Sequence, residues 1–173
     1  VKRLFSTFTL CLALLLPLTT HAEGLADHVQ RIDPPKKLPP LVFEDAHGAQ
    51  HALADYRGKF VLLNVWATWC APCVGEMPSL DALQDAISPD RLAVIPLSED
   101  RGDSTVTAFY RIHKIAVLPV AIDHAGIAPS TLQLRGLPTT LLIDPQGREI
   151  ARIEGDEKWD SPDARAFLKA QMR

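Results

Sequence analysis

Residues 60–66 read Phe-Val-Leu-Leu-Asn-Val-Trp, an apolar and β-branched run interrupted by one polar residue. A run of that length fits one strand buried on both faces. Helix-compatible sequence follows from Pro72 to about Ile87, with Leu80, Leu83 and Ile87 on one apolar stripe and Pro78 placed to kink it. Ser88, Pro89 and Asp90 end that helix, and residues 92–97 form a second buried strand. Asp103 or Ser104 can cap a helix running to about Lys114, and residues 117–122 give a further short strand before a turn at 123–126. Pro145, Gln146 and Gly147 make a tight turn, so 140–143 and 149–153 pair as an antiparallel hairpin. Ser161 and Pro162 are a cap and a first-turn proline for a last helix reaching Met172. Nearer the start, residues 41–44 alternate, 45–48 supply a turn and 50–53 return as a second strand. Residues 54–58 link this small hairpin to the buried strand. Strands interleaved with helices make this an α/β chain.

The first forty residues follow other rules. Lys2 and Arg3, the apolar stretch 10–18 and the small-residue site Thr20, His21, Ala22 have the three parts of an export signal, expected to span residues 1–22 and be cleaved after Ala22. A retained membrane anchor is the alternative, but the apolar core is shorter than the ~20 residues of a span and Pro17 interrupts it. Residues 23–39 are polar and proline-laden, with Pro34, Pro35 and Pro39 around Lys36 and Lys37, and read as a flexible linker. Residues 40–173 are then one domain.

Loss of residues 1–22 removes Lys2, Arg3 and Cys11 but no acid, taking the net charge from −3 to −5 and leaving Cys70 and Cys73 as the two cysteines. Mild acidity argues against a nucleic-acid partner and offers no basic patch to a membrane surface. Two cysteines three apart are not staples for an exported fold.

Their position between a buried strand and a helix points to redox chemistry. Residues three apart on a helix share a face, with Cβ atoms roughly 5–6 Å apart, and a modest tightening reaches the ~3.8 Å of a disulfide. Pro72 falls in the first helical turn, where its missing N–H costs nothing. Cys70 lies at the helix start, where unpaired N–H groups and the positive dipole end favour a thiolate. A structural disulfide closing so short a loop removes little unfolded-state entropy. A zinc site needs about four ligands, and no second C-x-x-C is present. A one-cysteine peroxidase would carry Thr where Ala67 stands. Glu76, one turn beyond Cys73, suits proton exchange with the dithiol, because a nearby carboxylate raises a thiol pKa and its own rises when desolvated. A solvated helix Glu is the bland reading of that position. Asn64 reads as a satisfied buried amide.

The stretch NVWATWCAPCVGEMPSL resembles the active site of the TlpA/ResA-type thioredoxin-like proteins, bacterial extracytoplasmic thiol–disulfide oxidoreductases, with similarity from about Leu38 to the C-terminus. The resemblance implies a thioredoxin-like fold: a central mixed sheet flanked by helices, an N-terminal β-hairpin, and a central αβ insertion matching the extra helix and strand at 103–122. It implies a catalytic Cys70–Cys73 disulfide, a site role for Glu76, and a cis Pro138 facing the cysteines, since RGLPTT at 135–140 resembles the cis-proline loop. Trp69, Ala71, Pro72, Leu137 and Thr139 would line the docking surface for a substrate segment. It further implies disulfide-containing client proteins, a membrane thiol-reductase as electron donor, a monomer in the periplasm, and no organic cofactor or metal. Work in cytochrome c or copper-oxidase biogenesis goes with the family. In cytochrome-dedicated relatives, however, Glu commonly follows the cis proline where this chain has Thr139. Cytoplasmic thioredoxins carry a buried Asp where this chain has Asn64.

The expected reaction is reduction of client disulfides, with Cys70 attacking and Cys73 resolving. Two rivals remain at this point. One is a disulfide-forming oxidant on the same fold. The other is a copper-binding or chaperone module, for which His113 and His124 would be the outlying ligands.

Overall fold

The computed structural model describes residues 25–173. The expected export signal and its cleavage point therefore lie outside the described residues. Among the described residues, no helix is long and apolar enough to cross a membrane.

The elements in order are α1 (Leu25–His28), β1 (Val29–Lys37), β2 (Val42–Glu44), β3 (Gln50–Ala52), a 3-10 turn (Leu53–Tyr56), β4 (Phe60–Trp66), α2 (Ala71–Ala86), β5 (Leu92–Ser98), α3 (Asp103–His113), β6 (Ala121–Ile122), α4 (Ala128–Thr131), β7 (Thr139–Ile143), β8 (Arg148–Glu154) and α5 (Pro162–Gln171). The eight strands form one mixed sheet in the order β1-β8-β7-β4-β5-β6-β2-β3. β4 and β5 run parallel, as the α2 crossover requires, whereas β7 lies antiparallel to both β4 and β8. The β2–β3 hairpin joins the sheet through the pair of Glu44 and Ile122, so the insertion strand β6 connects it to the core.

Period-two alternation sorts β4 onto the two faces of the sheet. Val61, Leu63 and Val65 pack with Ile95, Leu97 and Leu141 beneath Leu38, Leu41, Phe43 and the short helix α4. Leu62 and Trp66 pack on the opposite face with Met77, Leu80 and Leu83 of α2, Phe109 and Tyr110 of α3, and Phe167 and Leu168 of α5. Asn64 shares the parity of Leu62 and Trp66, which aims its amide at α2. That parity puts the amide beneath the helix that carries the cysteines.

The expected flexible linker is corrected over most of its length. Val29–Lys37 is an edge strand, paired antiparallel with β8 through Val29–Ile153, Gln30–Arg152, Arg31–Ala151, Lys36–Glu149 and Lys37–Arg148. Pro34 and Pro35 fall where the register shifts between Arg31 and Lys36, and the Asp33–Pro34 peptide is cis. Proline is compatible with a strand only at an edge or a bulge, and here it has both. The strand is almost wholly exposed, so its composition carries no sign of burial.

The expected strand at 117–122 shrinks to Ala121–Ile122. Pro119 lacks a donor, and the amides just before it are already engaged. The Asp81 carboxylate on α2 accepts from the backbone N–H groups of Ala116, Val117 and Leu118 at 2.9–3.2 Å. This carboxylate fastens the end of the αβ insertion to the helix that carries the cysteines. Asp81→Ala is expected to cost about 1–2 kcal/mol and to speed hydrogen exchange at those three amides without altering the Cys70–Cys73 chemistry. Unchanged exchange rates there would show that the loop holds itself. At the start of α3, Gly102 rather than Asp103 or Ser104 takes the cap position.

Candidate active site

β4 delivers the chain to the C-terminal end of the sheet, and residues 67–70 turn it into α2. Cys70 is the N-cap of that helix; its Sγ accepts from the Cys73 N–H at 3.4 Å, and its carbonyl accepts from Val74. Pro72 sits in the first turn, as its chemistry requires. Cys70 and Cys73 are joined in a disulfide with an S–S distance of 2.04 Å. Cys70 retains 8% exposure and Cys73 none. Trp69 beside them is 69% exposed, and Ala71 and Pro72 are exposed as well.

The turn before Cys70 is held by a residue the sequence does not nominate. Asp100, just past β5, accepts from Thr68 N–H at 2.8 Å through one oxygen and from Thr68 Oγ1–H at 2.7 Å through the other. Ser98 Oγ also donates to Asp100, and the Glu99 N–H donates to the Trp66 carbonyl. The carboxylate thus fixes the residue two before the cysteine. Glu99 stands next to it with its carboxyl pushed up to about 7, by burial first and then by the nearby Asp123 and Asp100 carboxylates.

The Leu137–Pro138 peptide is cis. Thr139 opens β7 opposite Val65, so Pro138 stands at the level of Trp66, at the end of the sheet where residues 67–70 turn. Its carbonyl accepts from Gly155 N–H at 3.0 Å. Leu137 is half-buried and packs against both hydrophobic clusters. Thr139 is a correction to the expected docking set: its side chain is fully buried, and Oγ1 donates to the Gly136 carbonyl at 2.7 Å. A residue inside the ladder between β4 and β8 has no side-chain surface left for a client.

Glu76 is not a solvated helix residue. It is 3% exposed, and its carboxyl is held by three donors from distant parts of the chain. Asn64 Nδ2 donates to Oε1 at 2.6 Å, while Glu157 N–H and the Trp159 indole N–H both donate to Oε2 at 3.1 Å. Burial pushes the carboxyl up to about 7; the three hydrogen bonds pull it down, and Asp156 raises it further. Desolvation therefore exceeds what the donors recover. A crevice of about 400 Å³ between α2 and the loop after β8 reaches this carboxyl, lined by Gly75, Glu76, Ser79, Asp156 and Asp160 among others. Asn64 also donates to Thr140 Oγ1 at 2.9 Å, but no donor among the described residues reaches its Oδ1, so the expected satisfied amide is only half satisfied.

The two histidines have partners of their own. His113 stacks on Phe109 with ring centroids 4.1 Å apart, and His124 Nε2 lies 2.9 Å from Asp103 and 3.6 Å from Glu44. Among the described residues, no group of three or more His, Cys, Asp and Glu side chains is arranged to hold a metal ion.

Residues 34–151 match the model of the AhpC/TSA family. The chain belongs to that family. It is 34% identical over 135 residues to the thiol–disulfide oxidoreductase ResA of Bacillus cereus, a match covering 78% of each protein. It is 35% identical over 115 residues to the thioredoxin-like protein YneN of Bacillus subtilis, covering 65% of this chain and 66% of that one. A crystal structure from Chlorobium tepidum, of a protein assigned as the thiol:disulfide interchange protein DsbE, superposes with a TM-score of 0.72 at 25% identity, covering 82% of this chain and 99% of that one. This family member has a thioredoxin-like fold and is a thiol–disulfide oxidoreductase with a vicinal Cys70–Cys73 pair.

Four members of the site have no signal in the sequence. Asp100, Thr140, Glu157 and Trp159 reach it through tertiary contacts spanning 32 to 83 positions. Each is an ordinary residue in its local context. The β4 alternation could have supplied one clue, since it places a lone amide under the helix that bears Glu76.

Proposed function

We propose that this protein reduces disulfides of exported client proteins in the periplasm, acting as a monomer after removal of residues 1–22. The observation that carries the reading is the asymmetry of the pair. Cys70 caps α2 beside the exposed Trp69, and Cys73 lies fully buried on the same helix face as the buried Glu76.

In the reduced protein, the Cys70 thiolate attacks one sulfur of the client disulfide, and the client's other sulfur leaves as a thiolate that takes up a proton. Cys73 then gives its proton to the Glu76 carboxylate and attacks Cys70 Sγ. The second client sulfur departs and is protonated. Two electrons pass to the client, and the Cys70–Cys73 disulfide forms. A membrane thiol-reductase is the fitting source of the two electrons that reopen it, because the compartment is oxidising. Pro138 and Leu137 offer the edge against which a client segment pairs as an added strand, with Trp69, Ala71 and Pro72 on the other side. The resemblance to TlpA/ResA-type proteins supports clients in cytochrome c or copper-oxidase biogenesis, whose cysteines are needed as thiols.

Cys73→Ala is expected to accumulate mixed disulfides with clients in the periplasm, whereas Cys70→Ala yields none. Non-reducing gels with mass spectrometry of the adducts read the outcome. Trapping by Cys70→Ala instead would reverse the roles of the two thiols.

A further inference from the structure

Asn64 is fully buried, and its two ends are treated unequally. Nδ2 donates to Glu76 Oε1 and to Thr140 Oγ1, while no donor among the described residues reaches Oδ1. An unpaired buried acceptor carries a desolvation penalty that native structures seldom tolerate without a use. Among the described residues, no donor holds this amide from behind, so Glu76 and Thr140 are the partners that decide its orientation.

Both of those partners can change sign. Thr140 is a hydroxyl, able to donate as well as to accept. Glu76 as a carboxylate accepts through Oε1; as a neutral acid it has a proton to donate. Its other oxygen is not free to take that role, because the Glu157 N–H and the Trp159 indole N–H both point into Oε2. A proton arriving on Glu76 therefore belongs on Oε1, facing Asn64, where the Nδ2–H group now stands. Two donors would then confront each other. Rotation of the amide by half a turn removes that conflict, because Oδ1 then accepts from the Glu76 hydroxyl and from the Thr140 hydroxyl, while the Nδ2–H groups take the unpartnered place that Oδ1 held.

We infer that Asn64 is the positioning residue for the proton on Glu76, a two-state amide that turns Nδ2 to the carboxylate and Oδ1 to the acid. It keeps Oε1 hydrogen-bonded in both protonation states, so the carboxyl can load and unload a proton at a fixed place. A buried Asp at this position would compete for the proton, whereas an amide can only present it. The inference deepens the role proposed for Glu76 above, yet it concerns only the carboxyl and its amide partner.

Asp156, Glu157, Lys158 and Asp160 line the crevice beside Glu76 from the loop after β8, and Cys70 and Cys73 precede it on α2. β4 and β7 present Asn64 and Thr140, neither of which titrates. With the disulfide closed, the cysteines do not titrate either, so the test uses the oxidised protein and stays separate from the question of what Glu76 does for the thiols.

The experiment follows the Asn64 side-chain amide by NMR while Glu76 Cδ reports its own titration. Below the Glu76 midpoint, contacts of the Nδ2 protons with Thr140 should be lost, and above it they should be present. In the oxidised Glu76→Gln protein, the flipped arrangement should hold at every pH. The glutamine side chain of that variant best satisfies Glu157 and Trp159 by turning its oxygen to them, which leaves its NH2 group facing Asn64 as a permanent donor. Asn64→Leu should raise the Glu76 midpoint by about one pH unit, since a hydrogen bond to the charged form is worth more than one to the neutral form. An amide whose Nδ2 protons keep the same contacts on both sides of the midpoint, and in Glu76→Gln as well, would overturn the inference even if the leucine variant failed to fold.

Discussion

Replacing Glu76 with Gln is expected to stabilise the oxidised protein by about 3 kcal/mol at pH 8 relative to its advantage at pH 4. Burial raises the Glu76 carboxyl from the usual 4.5 to about 7 in the folded state. Between those values the folded protein holds a proton that the unfolded chain has released. The unfolding free energy must therefore fall as pH rises through that window, by roughly 1.36 kcal/mol for each pH unit it spans. The folded state is penalised fully above pH 7 and not at all below 4.5. Gln cannot ionise, so the decline attributable to this position disappears. Other groups, including Glu99, which is also raised to about 7, and Asp45, which is lowered to about 2, contribute equally to both proteins and cancel in the difference. Urea unfolding of the two oxidised proteins at several pH values reads it directly. Parallel stability profiles would mean that Glu76 titrates in the folded protein as it does in the unfolded chain, already ionised well below pH 7, and its proton role would go with that result. A second consequence concerns the reduced form. Without the carboxylate the dithiol loses a repulsive neighbour, so the thiolate titration should move to lower pH in Glu76→Gln.

Much of this arrangement is legible without coordinates. The β4 run needs no context, because a seven-residue strand with six residues buried across both faces leaves an apolar signature broken only at Asn64. The Cys70 cap and Pro72 in the first turn follow from local backbone chemistry, and so do Ser161 and Pro162 at α5, where the Ser161 hydroxyl accepts from Ala164 N–H at 3.1 Å. What escapes the sequence is decided by contacts between distant segments. β1 looks like a linker because an exposed edge strand has no apolar face to show. The strand expected at 117–122 loses its amides to Asp81, a residue on another element. Analogy with the docking loop puts Thr139 at the surface, but the pairing of β7 with β4 and β8 buries it. Glu76 stands out through its spacing from Cys73, whereas the groups that hold it, Trp159 and Glu157, lie too far along the chain for spacing to speak.

The direction of electron flow is the central claim, and the expected midpoint potential is below about −200 mV. Strong periplasmic oxidants sit near roughly −120 mV because their reduced thiolate is heavily stabilised; thioredoxin sits near roughly −270 mV. Between Cys70 and Cys73 this chain has Ala71 and Pro72, so no cation stands there to hold a thiolate. On the far side of Cys73, the buried Glu76 competes for protons near pH 7 and opposes negative charge on the sulfurs. The helix N-terminus acts the other way and favours the Cys70 thiolate. About 150 mV separates the two limits, and each 30 mV is about 1.4 kcal/mol for a two-electron couple, so the span is about 7 kcal/mol. One helix dipole, worth about 0.3–1 kcal/mol where exposed and up to about 2 where partly buried, cannot cross it. The decisive measurement equilibrates the protein with glutathione buffers of known ratio and follows the Cys70–Cys73 pair by alkylation, with the fluorescence of the adjacent Trp69 as a second probe. A midpoint below about −200 mV is the result expected of a reductant. A midpoint near roughly −120 mV would make the protein a donor of disulfides and contradict the proposed direction.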